Sequence, residues 1–471
     1  MLVRLLIDGR GRPCVCPAMV ATGQTQGLPL RRHQDPQNTT EVICMKKRIF
    51  ALLITLAMLG GLFAACRGDV PPASDPVETP PHAEESPIPA PDEPEPDQTP
   101  VSDLPAETRQ AILSFSQALF HGMLDSDGLN PVLSPLSAYY ALAMVALGAG
   151  GETAAEFQDV LGRDPAALAE DLRVLTALLT ATSGNTALNI AGGVWTDENF
   201  TIHPEFAALL ENYFDAPAES LDFDDPETVR MINAWVAEQT HGLIEDLLSS
   251  IGQDTVMLLV NTLYFRAQWA AAFHPMTTFD GMFHPTDGAE VETAFLSTRS
   301  VPLYVSVTDQ HEAVSLPYDD DRLAFLLVRP TDGTDVRDFA ENFDLTATLA
   351  SLETHDSVRV RMPKLDLTFD LTLNTLLEQM GLVSAFSNSA DFSGLLAEYE
   401  PLRISRVLQK VRLLVDEDGT EAAAATAIEV EVTMIDLEQL NLNFDTPYLY
   451  VIYDMELGIP LFMGILENPA L

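Results

Sequence analysis

Few residues of this 471-residue chain are arranged to do chemistry on a substrate. The nine histidines are scattered, with no pair at i, i+4 and no H-E-x-x-H, so no metal site is expected. The four cysteines stand at 14, 16, 44 and 66, which leaves everything after Cys66 without a disulfide framework or a thiolate site. There is no G-x-S-x-G, no P-loop and no catalytic-type cysteine. A hydrolase is therefore not expected, no catalytic residue is assigned, and no cofactor is called for.

One segment does stand apart, Glu417-Asp-Gly-Thr-Glu-Ala-Ala-Ala-Ala-Thr-Ala-Ile-Glu-Val-Glu-Val-Thr-Met434. Its alanine run and an Asp418…Glu421 capping box favour a helix. A period of two fits the whole stretch instead. Thr420, Ala422, Ala424, Thr426, Ile428, Val430 and Val432 fall on one face; Glu421, Ala423, Ala425, Ala427, Glu429, Glu431 and Thr433 fall on the other. Every glutamate after 420 thus opposes the aliphatic face, the pattern of a strand buried on one side. Small residues at the leading end would let it slide into a sheet. The sequence specifies a segment that can be mobile in one state and a strand in another.

The other chemically distinctive residue is Cys66. Met45-Lys-Lys-Arg48 is followed by an apolar run at 49–65 that ends Leu62-Phe-Ala-Ala-Cys66. A short basic segment, an apolar core and small residues before a cysteine form a secretory signal, and the ending resembles the bacterial lipobox, with Phe63 where Leu is usual. Acylation of Cys66 would then make it the mature N-terminus; a single membrane-spanning anchor is the other reading. Residues 66–100 form a tether: positions 67–100 hold eleven prolines and nine acidic residues against one base, Arg67. Such a stretch buries no core and stays extended. Residues 1–44 have no place upstream of a signal peptide and are expected to be a gene-start extension that is not structural, with Met45 the true start. The expected location is outside the cytoplasm, lipid-anchored to a bacterial cell membrane.

These features must be positioned by the remainder, residues 101–471. Apolar residues make up 47% of the chain, enough for a large core. The balance of 25 Lys+Arg against 70 Asp+Glu gives −45 overall, and 16 against 58, or −42, for residues 101–471. That charge argues against nucleic acid as a partner and against a membrane contact other than the lipid. No second linker and no repeat divides the stretch. Helical periodicity marks 107–124, 137–147, 157–161 and 166–180; strands are expected at 187–195, 256–265, 324–328, 358–364, 448–453 and 460–466. Helices early and strands late predict an α+β domain with antiparallel sheets. Trp195, Trp235 and Trp269 are expected to be core packing residues.

The 417–434 segment resembles the hinge and reactive loop of the serpins. Leu442-Asn-Phe-Asp-Thr-Pro-Tyr448 resembles the serpin C-terminal signature, with Thr446 for a basic or polar residue and Tyr448 for Phe. Asn130-Pro-Val-Leu-Ser-Pro-Leu-Ser137, Asn261-Thr-Leu-Tyr-Phe-Arg-Ala-Gln-Trp269, Leu316-Pro-Tyr318, Met362-Pro-Lys364 and Ala390-Asp-Phe-Ser-Gly394 match further landmarks in order. The resemblance spans about residues 105–468. It implies the serpin fold, helices packed on a large central sheet with an exposed reactive-centre loop.

It also implies a suicide-substrate inhibitor of serine, or cysteine, proteases, acting as a monomer. The protease would form an acyl-enzyme at the loop, and insertion of the cut loop into the main sheet would trap it; strand insertion of this kind is itself a standard example of stored-strain release. By this resemblance the hinge comprises Glu417, Gly419, Thr420, Ala422, Ala423, Ala424 and Ala425, with no proline or charge at an inward leading position. Counting from Glu417 puts the cut at Thr433–Met434; counting back from Phe444 points nearer Asp436. The absence of Arg and Lys at 432–435 points to elastase-like or subtilisin-like targets. A polar cluster beneath the sheet would contain Ser134, Ser137, Asn261 and Gln409, the last standing where His is usual.

Two other classes compete with this one. A tethered solute-binding protein should show two lobes of alternating βα units, which this chain does not. A serpin-fold surface binding protein that no longer inhibits remains the alternative.

Overall fold

The computed structural model describes residues 2–8, 104–398, 402–420 and 439–470, apart from single loop positions at 127, 182, 254, 272, 287 and 332. The expected signal, the tether, Cys66, hinge residues Ala422, Ala423, Ala424 and Ala425, and Thr433 and Met434 lie outside the described residues.

The helices are α1 (Ala106–Met123), α2 (Pro135–Ala146), α3 (Gly151–Leu161), α4 (Pro165–Thr180), α5 (Pro204–Phe214), α6 (Pro226–Gln239), α7 (Val336–Ala340), α8 (Leu345–Ala350) and α9 (Asn374–Gln379). Several start where the sequence signals it. The Ser134, Asp164 and Asp225 side chains accept hydrogen bonds from first-turn amides, and each precedes a proline whose missing N–H has no partner to lose there.

The strands are β1 (Leu2–Asp8), β2 (Val132–Leu133), β3 (Ala187–Asp197), β4 (Ala218–Leu221), β5 (Thr255–Gln268), β6 (Phe279–Phe283), β7 (Val291–Ser297), β8 (Val301–Val307) and β9 (His311–Pro317). They continue with β10 (Leu323–Pro330), β11 (Glu353–Pro363), β12 (Leu365–Thr372), β13 (Arg403–Val415), β14 (Gly419–Thr420), β15 (Leu440–Asn443), β16 (Tyr448–Asp454) and β17 (Pro460–Leu466). Among the described residues they form two sheets. The main, seven-stranded sheet runs β1-β13-β14-β5-β3-β4, with β12 on β13 and β1 also on β5. The ten-stranded sheet runs β2-β17-β16-β10-β9-β8-β11-β7-β6, with β15 on β11. Pairing is antiparallel except β3 with β4 and β11 with β15. The fold is α+β, as expected.

All twelve residues of α2 are buried, and the helix touches β5 of one sheet and β17 of the other. A helix apolar on every side belongs inside a core, and α2 joins the two sheets through the main one. A second, smaller cluster lies under α6, where Ile232 and Val236 pack on Trp195, Leu258 and Val260 of the main sheet. Trp235 packs at the edge of this cluster, its ring centroid 5.0 Å from that of Trp195. Among the described residues, no helix is long and apolar enough to cross a membrane.

Candidate functional site

The chain leaves β13 at Val415 and turns at once into the hinge. The Asp416 carboxylate accepts the amides of Asp418 (2.9 Å) and Gly419 (3.3 Å), and the Asp416 amide donates to the Gly419 carbonyl (2.9 Å). This side-chain turn redirects the backbone so that Gly419 and Thr420 enter the main sheet as β14, between β13 and β5. Thr420 pairs with Val415 on one side and Ala267 on the other, while Gly419 pairs with Gln268. Only glycine fits at 419, since a Cβ there would lie 1.9 Å from the Ala267 carbonyl oxygen. Gly419 and Thr420 are thus strand, and the alanine run that follows lies outside the described residues.

Thr420 is 2% exposed, and its hydroxyl shares a 2.6 Å hydrogen bond with the Tyr318 hydroxyl. The Tyr318 ring stacks on Trp269, centroids 4.7 Å apart and planes within 10°. Trp269 in turn holds the hinge backbone: its indole N–H donates to the Asp416 carbonyl (2.9 Å) and its amide to that of Asp418 (3.1 Å). The Phe273 amide donates to the Glu417 carbonyl (3.1 Å). The Glu417 carboxylate pairs with Lys364 (2.6 Å) and accepts from the Thr278 hydroxyl (2.7 Å). Burial pushes that carboxyl up, but the hydrogen bonds from Lys364 and Thr278 outweigh it and leave it below its usual range. Asp418 goes the other way, raised by burial and by the neighbouring Asp416 and Glu417 charges, with Lys364 opposing.

Lower in the sheet, the N-terminus of α2 touches the strands on both sides of the same line. Ser134 caps the helix by accepting from the Ser137 amide (3.3 Å). Gln409 on β13 both accepts from the Ser134 amide and donates to the Ser134 carbonyl, each at 2.9 Å. On β5, Asn261 accepts from the Ser137 hydroxyl (2.8 Å). All four are at most 2% exposed. The structure therefore brings Ser134, Ser137, Asn261 and Gln409 together, one pair for each flanking strand.

Between those strands runs β1, with Val3 opposite both Asn261 and Gln409, and Leu5 opposite Leu259 and Val407. It follows the antiparallel sense of β14. Carried down from Thr420 in the same register, the loop would bring Thr426 opposite Asn261 and Gln409, Ile428 opposite Leu259 and Val407, and Val430 opposite Met257. Those are the positions of Val3, Leu5 and Ile7. β1 thus fills the position between β5 and β13 that continues the line of β14.

A model of the serpin (serine protease inhibitor) family matches residues 110–469. The chain belongs to the serpin family. It is 32% identical to a serpin-like protein of Thermococcus kodakarensis over 76% of this chain and 85% of that protein. A putative serpin-Z12 of Oryza sativa subsp. japonica is 33% identical, covering 73% of this chain and 86% of its own length. Among solved structures, the thermophilic serpin tengpin in its native state superposes with a TM-score of 0.72 at 26% identity, over 78% of this chain and 95% of tengpin. The family and fold imply protease inhibition, the general role of serpins, rather than catalysis.

The sequence by itself does not single out Tyr318, Lys364, Thr278 and Asp416 as site residues of the serpin, and it marks Trp269 as a core residue only. Trp269 is indeed buried, at 4% exposure, yet its two N–H groups hold the hinge. The signal was present in the landmarks: Leu316-Pro-Tyr318, Met362-Pro-Lys364 and the segment ending at Trp269 each contribute a hinge contact. Among the described residues no group of His, Cys, Asp and Glu is placed to hold a metal ion.

Proposed function

We propose that this serpin is a suicide-substrate inhibitor whose loop is cut at Thr433–Met434 by an elastase-like or subtilisin-like protease. The protease serine attacks the Thr433 carbonyl, the Met434 amine leaves, and an ester joins the two proteins. The freed N-terminal side of the loop then continues from Thr420 down the main sheet and carries the protease with it. The observation that carries this reading is that Gly419 and Thr420 already stand in the sheet, in register with the strand position between Asn261 and Gln409. Burying Ile428, Val430 and Val432 would contribute roughly 1.5–3 kcal/mol each, and each new backbone hydrogen bond about 1 kcal/mol. Insertion before deacylation is favoured because the leading residues are small.

The same reading assigns Cys66 as an acylated anchor outside the cytoplasm and residues 66–100 as a spacer for the domain at 101–471. Processing before Cys66, or a start at Met45, removes β1 and leaves its position to the loop. The test is to incubate the chain with pancreatic elastase and with subtilisin and to run a denaturing gel. A stable band of summed mass, with a released peptide beginning at Met434, supports the proposal. Clean cleavage with no covalent band and no gain in heat stability of the cut chain rejects it in favour of a passive loop.

A further inference from the structure

The two ends of the reactive loop are anchored to one short segment. On the N-terminal side, Glu417 is held by the Phe273 amide and the Thr278 hydroxyl. On the C-terminal side, β15 lies parallel to β11 with Asn443 opposite Arg361, and the Phe444 amide donates to the Arg361 carbonyl (2.8 Å). The Arg361 guanidinium in turn sits 5.4 Å from the centre of the Phe279 ring. Residues 273–279 therefore bridge the two feet of the loop.

That bridge is unexpectedly apolar. Among the described residues, eight large hydrophobic side chains are well exposed, and three of them, Met276 (85%), Phe279 (40%) and Met282 (41%), fall within seven positions. Single exposed apolar residues need no explanation; a local concentration beside a binding loop does. Met282 alternates to the other face of β6 from Phe279. Phe279 is held in place by stacking on Phe295, centroids 5.8 Å apart, and β6 is the last strand of its sheet. Met276, unbranched and polarisable, can adapt to a partner's contour. Arg361 adds charge: it is exposed and has no carboxylate partner among the described residues, in a domain carrying −42.

We infer that Met276, Phe279 and Arg361 form an accessory docking surface for the protease engaged by the loop. The partner it fits is a protease whose rim, beside the active-site cleft, offers an apolar patch next to a carboxylate. This inference rests on the inhibitory reading above, and its surface adjoins both feet of the loop that the protease attacks, at Glu417 and at Phe444. Accessory contacts of this sort act mainly on association, where complementary charge speeds encounter.

The test uses the full chain carrying Met276→Asp or Arg361→Glu, neither of which touches the hinge or the polar cluster under the sheet. The rate constant for covalent complex formation is measured with pancreatic elastase and with subtilisin, at low and high salt. The expected result, with at least one of the two, is a fall of about fivefold or more for each variant. The Arg361→Glu effect should shrink at high salt, while the thermal midpoint and the stoichiometry of inhibition stay unchanged. Unchanged rates with an intact covalent band overturn the docking surface and leave the inhibitory reading standing. A raised stoichiometry also overturns it, because the residues would then act on loop insertion. If the parent chain forms no covalent band with either protease, the inhibitory reading fails and the docking surface fails with it.

Discussion

Gln409 and Ser134, 275 positions apart, exchange two hydrogen bonds: the glutamine side chain accepts from the serine amide and donates to its carbonyl, both at 2.9 Å. One side-chain amide thus satisfies both backbone groups at the cap of the most deeply buried helix, and ties β13 to it. Asn261 ties β5 to the same helix by a single bond, accepted from the Ser137 hydroxyl. Separating the two strands means straining one of these ties.

Replacing Gln409 by Leu removes both bonds and strands two buried backbone groups. The expected cost is about 2–4 kcal/mol. Thermal unfolding should show a lowered midpoint, and the variant should lose inhibitory capacity faster on standing. A midpoint equal to the parent's would mean that the tie is not stabilising.

Thr420→Arg puts a long cation at the leading inward position, where the threonine is 2% exposed. The expected result is a plain substrate: loop cleavage continues while the covalent band on a denaturing gel disappears. Tyr318→Phe is the milder companion. It removes only the partner of the Thr420 hydroxyl and should cost about 1 kcal/mol.

Acidification should act on the hinge through two carboxyls of opposite sign. Glu417 lies below its usual range when docked, so its stabilisation is present at neutral pH and is lost as pH falls through its folded value. Asp418 is raised, so its charged form is a cost at neutral pH that is relieved as pH falls through its own folded value. Thermal midpoints measured between about pH 3 and 7 should therefore be higher at the neutral end for Asp418→Asn than for the parent. Lys364→Met should lower that neutral end and flatten the acid limb. A Lys364→Met curve that parallels the parent's would rule out the Glu417 pair as its source.

Tyr448 stands where the serpin signature usually has Phe, and the structure shows what the hydroxyl encounters. The residue is fully buried, and its hydroxyl has no hydrogen-bond partner among the described residues. Burial drives that hydroxyl well above its usual pKa. Tyr448→Phe should stabilise the protein by about 1 kcal/mol, seen as a higher midpoint in denaturant. A destabilised variant would show that the hydroxyl is satisfied by bound water.

Deleting residues 1–44 removes β1 from between β5 and β13. The shortened chain should melt at a lower temperature and form its protease complex faster, because the loop no longer has to displace a strand. Equal melting temperatures for the two chains would show that β1 does not pair there in solution.

Much of this was legible in the chain itself. Alternation from Thr420 to Val432 predicts a strand with one buried face, because side chains repeat every two residues along an extended backbone, and of that stretch Thr420 stands in the main sheet. Ser-Pro and Asp-Pro pairs mark helix starts through local hydrogen bonding alone, and the all-apolar stretch of α2 announces a helix without a wet side. The resemblance to the serpins implies one polar cluster of Ser134, Ser137, Asn261 and Gln409, and the structure brings the four together. What tertiary structure alone decided is who meets whom. Tyr318 reaches Thr420 across 102 positions, and Lys364 meets Glu417 from the junction between β11 and β12. The expected core residue Trp269 turns its N–H groups onto the hinge carbonyls. The physical reason is that strand register and the stacking of two sheets bring distant segments within hydrogen-bond reach, and neither periodicity nor local propensity encodes those distances.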